Sequence, residues 1–156
     1  MNATSPQFES RADERSYPAR PLLAASIAVF RDGRLLIARR GRAPMEGLFS
    51  LPGGLVEVGE TLREAALREL KEEVGVEAEI LAFVDHIEPI ARDGAGVGEH
   101  YVVAAFVGRW RSGEARVGVE AAEVAWIDPE AIGDYPTTLA LPALVAKAAK
   151  LERSLR

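Results

Sequence analysis

Three glutamates, Glu69, Glu72 and Glu73, stand at i, i+3 and i+4 within Arg68-Glu69-Leu70-Lys71-Glu72-Glu73-Val74-Gly75-Val76. On a helix those positions are surface neighbours, and like charges there repel by about a few tenths of a kcal/mol per pair. Carboxylates that repel one another favour a cation between them. An all-oxygen donor set suits a hard ion such as Mg2+, which keeps several waters and is commonly shared with substrate phosphates. Just upstream, Pro52-Gly53-Gly54 supplies backbone that can approach a ligand closely. The trio alone does not decide the matter. Glu64–Arg68 and Arg68–Glu72 are i,i+4 pairs that would equally support a solvated charged face. The glycines before the helix and Gly75 after it move the weight to a metal site.

From Gly54 the segment reads Gly-x5-Glu-x7-Arg-Glu-Leu-x-Glu-Glu-x-Gly-Val. If each fixed Gly, Glu and Arg matched at about 7%, the average usage of glycine, the pattern would arise by chance at about 10^-8 per starting position. This segment, Gly54 to Val76, resembles the Nudix box of the Nudix (MutT-like) hydrolases at every defined position. The resemblance is tight there and looser over roughly residues 22–130.

The resemblance implies Mg2+-dependent hydrolysis of a diphosphate linked to a nucleoside, with Mn2+ able to substitute. It implies Glu72 and Glu73 as metal ligands, Glu69 as a ligand or as the group that orients the attacking water, and the Gly54 carbonyl as a further ligand. Arg68 would brace the carboxylates by ion pairing, and Glu60 would support the helix start, where negative charge also suits the dipole. A further carboxylate is expected from a loop remote in sequence. Glu120 is the candidate and Glu99 the competitor; a solvated loop glutamate accounts for either equally well. Arg40 resembles a phosphate-contacting arginine. Because side chains alternate along a strand, at most one of Arg39 and Arg40 should reach the site. Tyr101 and His100 are possible cleft residues, with a structural role the better reading for His100. Trp110 and Trp126 fit core positions better than base stacking.

The composition agrees with one globular domain: 156 residues, 48% hydrophobic and 28% charged. The absence of cysteine excludes disulfides, thiolate zinc sites and cysteine nucleophiles. Two histidines make a His-rich zinc site implausible. A net charge of −5 offers no general attraction to nucleic acid, so anionic substrates would need local cations. The apolar run Leu22–Phe30 is too short to span a bilayer, and the N-terminus lacks an apolar signal core, so a cytoplasmic protein without membrane association is expected.

The elements that must position these residues follow from periodicity and punctuation. Residues 1–20 read as a flexible N-terminal arm and 21–156 as the hydrolase domain. Leu22–Phe30 and Arg34–Ala38 read as strands joined by an Asp32-Gly33 turn, Gly41–Gly47 as a loop, and Phe49–Leu51 as a short strand. Thr61–Val74 is the main helix, with the stripe Leu62, Ala66, Leu70 and Val74 facing the core, a cap near Thr61 and a stop at Gly75. Glu77–Ile87, Tyr101–Trp110 and Glu123–Ile127 read as strands, Pro89–Glu99 as a flexible loop, and Thr138–Leu151 as a second helix. The sum is an α/β protein, a mixed β-sheet between helices in an α/β/α sandwich, which is also the fold the resemblance implies.

The box specifies chemistry but not the leaving group. ADP-ribose hydrolases of the family often carry a proline downstream of the box, and Pro89 stands near that place. The preferred substrate is therefore a nucleoside diphosphate derivative, ADP-ribose first, giving AMP and ribose 5-phosphate. The alternative is a (d)NTP or oxidised-nucleotide pyrophosphohydrolase. An alternative of another class is a catalytically inactive Nudix-fold nucleotide-binding regulator, against which the intact Glu69, Glu72 and Glu73 speak. A homodimer is left open.

Overall fold

The computed structural model describes residues 15–42 and 45–156. Eight strands and two α-helices follow in the order β1 (Leu22–Arg31), β2 (Arg34–Arg40), β3 (Phe49–Ser50), β4 (Gly53–Leu55), α1 (Leu62–Val74), β5 (Glu77–Ile87), β6 (Ile90–Asp93), β7 (Gly96–Ser112), β8 (Ala121–Ile127) and α2 (Leu141–Ser154). A 3-10 turn, Pro129–Asp134, precedes α2. The sheet runs β3-β2-β1-β7-β5, with β8 on β2, β4 on β1 and β6 on β7. The β1–β7 pair is parallel and the named neighbours are otherwise antiparallel, so the sheet is mixed.

Each face of the sheet buries one helix. On one side Ala65, Ala66, Leu70 and Val74 of α1 pack against Ile27, Val29, Leu36 and Phe106. On the other, Leu141, Leu144, Val145 and Ala148 of α2 pack against Ala28, Leu35, Ile37 and Val107. The alternation along β1 and β2 feeds the two cores in turn. This is the α/β/α sandwich expected from the sequence. Burying Leu70 and Val74 completely contributes about 1.5–3 kcal/mol per side chain, so Leu70→Ala would loosen α1 from the sheet before it disturbed anything else.

Helix α1 starts and stops as its sequence dictates. The Thr61 side chain accepts from the Glu64 N–H, and the Glu64 carboxylate accepts from the Thr61 N–H, a reciprocal capping box. Gly75 ends the helix in the left-handed conformation at φ 74°. Leu62 of the expected stripe is only half-buried, and Ala65 takes its place in the core.

Two expectations are corrected. Pro89–Glu99 is not a loop but a β-hairpin, in which β6 pairs with the start of a seventeen-residue β7. The second helix begins at Leu141 rather than Thr138, because Pro142 lies in its first turn, and it runs on to Ser154. Most of the arm expected at 1–20 lies outside the described residues. Within them, the Tyr17 N–H donates to the Gly98 carbonyl at 2.9 Å and the Tyr17 hydroxyl donates to Asp93, so this stretch lies along the hairpin. Among the described residues no helix is long and apolar enough to cross a membrane.

Candidate active site

The capped start of α1 and the β4 loop bring the box together around one arginine. Arg68 donates from Nε and Nη2 to the two oxygens of Glu60, at 3.0 and 2.6 Å. Its Nη1 reaches Glu69 at 2.9 Å and Glu72 at 3.2 Å, and Nη2 also donates to the Leu55 carbonyl at 3.0 Å. One planar guanidinium thus ties the helix to the loop and three carboxylates to one another, a geometry lysine cannot supply. The Arg68 bidentate pair holds the Glu60 carboxyl down at about 2, with help from the Glu57 N–H, which donates to it at 2.8 Å.

The loop approaches its neighbours closely at both glycines. A β-carbon on Gly53 would lie 2.5 Å from the Ala25 carbonyl oxygen, where β4 pairs with β1. A β-carbon on Gly54 would lie 2.5 Å from the Glu69 carboxyl group, so the Glu69 side chain rests directly on the Gly54 backbone. The Gly53 backbone also hydrogen-bonds to Glu73. Loop and helix interlock through these two contacts.

Burial and mutual repulsion raise the proton affinity of the inner carboxylates. Glu73 is pushed from 4.5 up to about 8, first by burial and then by Glu69 and Glu120, against the Gly53 hydrogen bond and Arg40. Glu69 is raised mainly by burial, against its Arg68 bond, with Glu72 and Glu120 adding to the rise. Glu120 therefore stands close enough to act on both. Glu99 instead pairs across from Ala91 in the hairpin, and its charge acts on Tyr101. Of the two candidates for the remote carboxylate, the structure brings Glu120 to the box.

Arg39 and Arg40 diverge, as strand alternation requires. A register shift falls between them where β2 meets β8, and such bulges re-aim side chains. Arg39 turns to Glu123, with Nε and Oε2 3.4 Å apart, while the Arg40 charge acts on both Glu73 and Tyr101. The Arg40 backbone closes the following loop through Leu48 and Gly47, at 2.9 and 2.8 Å. Tyr101 is half-buried on β7, and its N–H donates to the Pro89 carbonyl at 3.0 Å. Pro89 itself is exposed at the entry to the hairpin. Trp110 and Trp126 pack against the α1-side core.

The donor set fits a hard divalent cation. It is all oxygen, it contains half-buried carboxylates of raised proton affinity, and a cation would relieve both burial and repulsion. Among the described residues no three His, Asp or Glu side chains are gathered into a closed ligand cluster. Arg68 holds Glu69 and Glu72 through one nitrogen, and Glu73 is tied to Gly53.

Sequence reasoning missed the backbone partners: the Gly53 bond to Glu73 and the Gly41 N–H that donates to the Glu120 carbonyl at 3.0 Å.

Comparison with known proteins places the chain in a family. The NUDIX domain family model matches residues 20–150. An ADP-ribose pyrophosphatase of Methanocaldococcus jannaschii is 33% identical over 108 residues, 69% of this chain and 62% of that protein. A putative 8-oxo-dGTP diphosphatase 2 of Mycobacterium tuberculosis is 40% identical over 105 residues, 65% of this chain and 74% of that protein. A crystal structure of a MutT NUDIX hydrolase from Burkholderia pseudomallei superposes with a TM-score of 0.70 at 29% identity, covering 82% of this chain and 98% of that one. The chain belongs to the Nudix family. It spans less than two thirds of the length of the archaeal pyrophosphatase.

Proposed function

We propose that this protein is a divalent-metal-dependent pyrophosphohydrolase that cleaves the diphosphate linkage of a nucleoside diphosphate derivative, with ADP-ribose the preferred substrate, giving AMP and ribose 5-phosphate. One observation carries the reading: α1 and the remote loop set Glu69, Glu73 and Glu120 against one another, with Gly53-Gly54 on one side and Arg40 on the other. The archaeal ADP-ribose pyrophosphatase relative supports the choice of substrate.

Glu69, Glu72, Glu73 and the Gly54 carbonyl would hold Mg2+, with Mn2+ as a substitute. The bound ion neutralises diphosphate charge and polarises its oxygens. Arg68 and Glu60 keep the carboxylates oriented, as outer partners of metal ligands do. Glu120 orients the water that adds to one phosphorus as the bridging P–O bond breaks. Arg40 takes a phosphate oxygen, and the cleft towards Tyr101, Glu99 and Pro89 receives the remainder of the substrate.

Phosphate release coupled to alkaline phosphatase tests this, with Mg2+ and a panel of ADP-ribose, diadenosine polyphosphates, NADH, sugar nucleotides, dNTPs and 8-oxo-dGTP. Preference for ADP-ribose upholds the reading. Preference for a nucleoside triphosphate, giving a monophosphate and pyrophosphate, replaces it with nucleotide sanitation, the reading favoured by the mycobacterial relative. Binding of ADP-ribose without turnover replaces it with a regulator.

A further inference from the structure

The segment from Gly113 to Glu120 carries no regular structure, yet it meets the C-terminal end of α1 and its Gly75 cap at Gly113, Arg116 and Gly118. At its start the Trp110 indole N–H donates to the Gly113 carbonyl at 2.7 Å, and Arg31, stacked 3.8 Å above the Trp110 ring, pairs with Glu114 at 3.1 Å. A β-carbon on Gly113 would lie 2.2 Å from the Gly75 carbonyl oxygen. In the middle, the Arg116 N–H donates to the Val74 carbonyl at 3.0 Å, and the Arg116 guanidinium lies against Gly75. A β-carbon on Gly118 would lie 2.5 Å from the Glu73 carbonyl oxygen and 3.8 Å from that of Glu72. At the end, the Glu120 carbonyl is pinned by the Gly41 N–H, directly after Arg40.

A helix leaves its last carbonyls without intrahelical partners, and they carry the negative end of the dipole. Here those carbonyls belong to Glu72, Glu73 and Val74, so whatever covers them also sits against the backbone of two box glutamates. The Arg116 N–H and the bare α-carbon of Gly118 cover them, while Gly113 and the Arg116 guanidinium close on Gly75 just beyond. The same eight-residue segment ends at Glu120. Its contact with α1 therefore sets how far the Glu120 side chain stands from Glu69 and Glu73.

We propose that residues 113–120 form a clamp on the C-terminal turn of α1, and that Gly118 is a positioning residue which acts through Glu120. The clash from an added methyl group cannot be relieved by the helix, whose turn is fixed by the Gly75 N–H to Lys71 carbonyl bond at 3.0 Å and by the buried Val74. The segment must give instead, and because the Glu120 carbonyl stays held by Gly41, the strain falls on residues 118–120 and re-aims the Glu120 side chain. Gly118 does not occupy the left-handed region, so alanine there tests the close approach and not the backbone conformation. The inference rests on the pyrophosphohydrolase reading for its catalytic consequence but not for its structural one.

The test is Gly118→Ala beside Gly133→Ala, a control at which an added β-carbon meets nothing within 4 Å. Amide hydrogen exchange by NMR should show the Arg116 N–H exchanging at least tenfold faster in Gly118→Ala and unchanged in Gly133→Ala. With the best substrate from the panel, kcat should fall at least tenfold with KM within about twofold. In a Glu120→Gln background the same alanine should cost less than a further twofold, because residues acting as a unit are not additive. Arg116→Ala, which removes only a side chain, should speed exchange of the same amide and is the variant to use if Gly118→Ala does not fold. Unchanged exchange of the Arg116 amide overturns the clamp. A kcat loss that is fully additive with Glu120→Gln overturns the action through Glu120. A wild-type protein that hydrolyses no diphosphate, with the exchange result intact, overturns the functional reading and leaves the clamp standing.

Discussion

Glu73→Gln should make the metal-free protein more stable while abolishing its activity. In the folded chain Glu73 takes up its proton at about 8 instead of 4.5. A raised carboxylate lowers stability progressively above the unfolded value, and the loss is complete only above the folded one. Linkage gives a loss of about 1 kcal/mol at about pH 5, about 3 kcal/mol at about pH 7, and nearly 5 kcal/mol above about pH 8, each figure an order-of-magnitude value. Glutamine is uncharged at every pH and its carbonyl can still accept from the Gly53 backbone, so it mimics the protonated acid. The variant should escape the whole loss. For a domain of this size about 3 kcal/mol corresponds to a rise in Tm of roughly 6–12 °C at neutral pH. Calorimetric melting in EDTA between about pH 5 and pH 9 measures it. The two proteins should converge near pH 5 and separate as pH rises. Millimolar Mg2+ or Mn2+ should then raise the wild-type Tm more than that of the variant, because a ligand bound to the native state stabilises it. Parallel melting curves across the pH range would refute the burial and repulsion assigned to Glu73. A glutamine variant that keeps full activity would refute its place in the site.

The two loop glycines should separate fold from site. Gly53→Ala meets the Ala25 and Ser26 backbone and should cost about 1–3 kcal/mol of stability, read by urea denaturation. Gly54→Ala meets only the end of the Glu69 side chain, so the midpoint should scarcely move while kcat falls and the Mn2+ affinity measured by calorimetry weakens. Arg68→Lys should lower activity or metal affinity by about 10–100-fold with the helix content retained, since one ammonium cannot serve Glu60, Glu69, Glu72 and the Leu55 carbonyl together. Wild-type kinetics from the lysine variant would reduce Arg68 to a surface ion pair.

The box was legible because its physics is local. Spacing on one helix fixes which carboxylates are neighbours, Thr61 and Glu64 cap the start, and only Gly75 suits the left-handed stop. The two-faced core was legible too, because β1 and β2 are apolar on both sides and must be covered twice. The β6–β7 hairpin was not. Gly94, Gly96 and Gly98 suggested a loop, yet Asp93-Gly94 between Ile90 and Val97 carries the same turn signal as Asp32-Gly33, and the pairing with Tyr17 adds a partner that periodicity cannot show. The preference for Glu120 over Glu99 rests on the resemblance, because local pattern cannot supply it. It depends on which segment returns to α1, and the close approaches at Gly113 and Gly118 that bring residues 113–120 there exist only once the fold has formed.

Those returning contacts explain why the site is uneven. Glu60, Glu69 and Glu72 share Arg68, so one positive charge is spread over three of the five carboxylates. The Arg40 charge acts on Glu73, and neither Glu73 nor Glu120 is among the Arg68 hydrogen-bond partners. Glu73, where burial is deepest, instead keeps a proton up to about 8, so its negative charge develops only when that proton leaves or a cation takes its place. An anionic diphosphate arriving there would add to the repulsion unless a cation came with it. Under the proposed function, diphosphate and cation would therefore bind together at the side of the box that Arg68 does not serve. The demand for positive charge at Glu73 comes first from its burial and then from Glu69, and Glu120 adds to it from the remote segment.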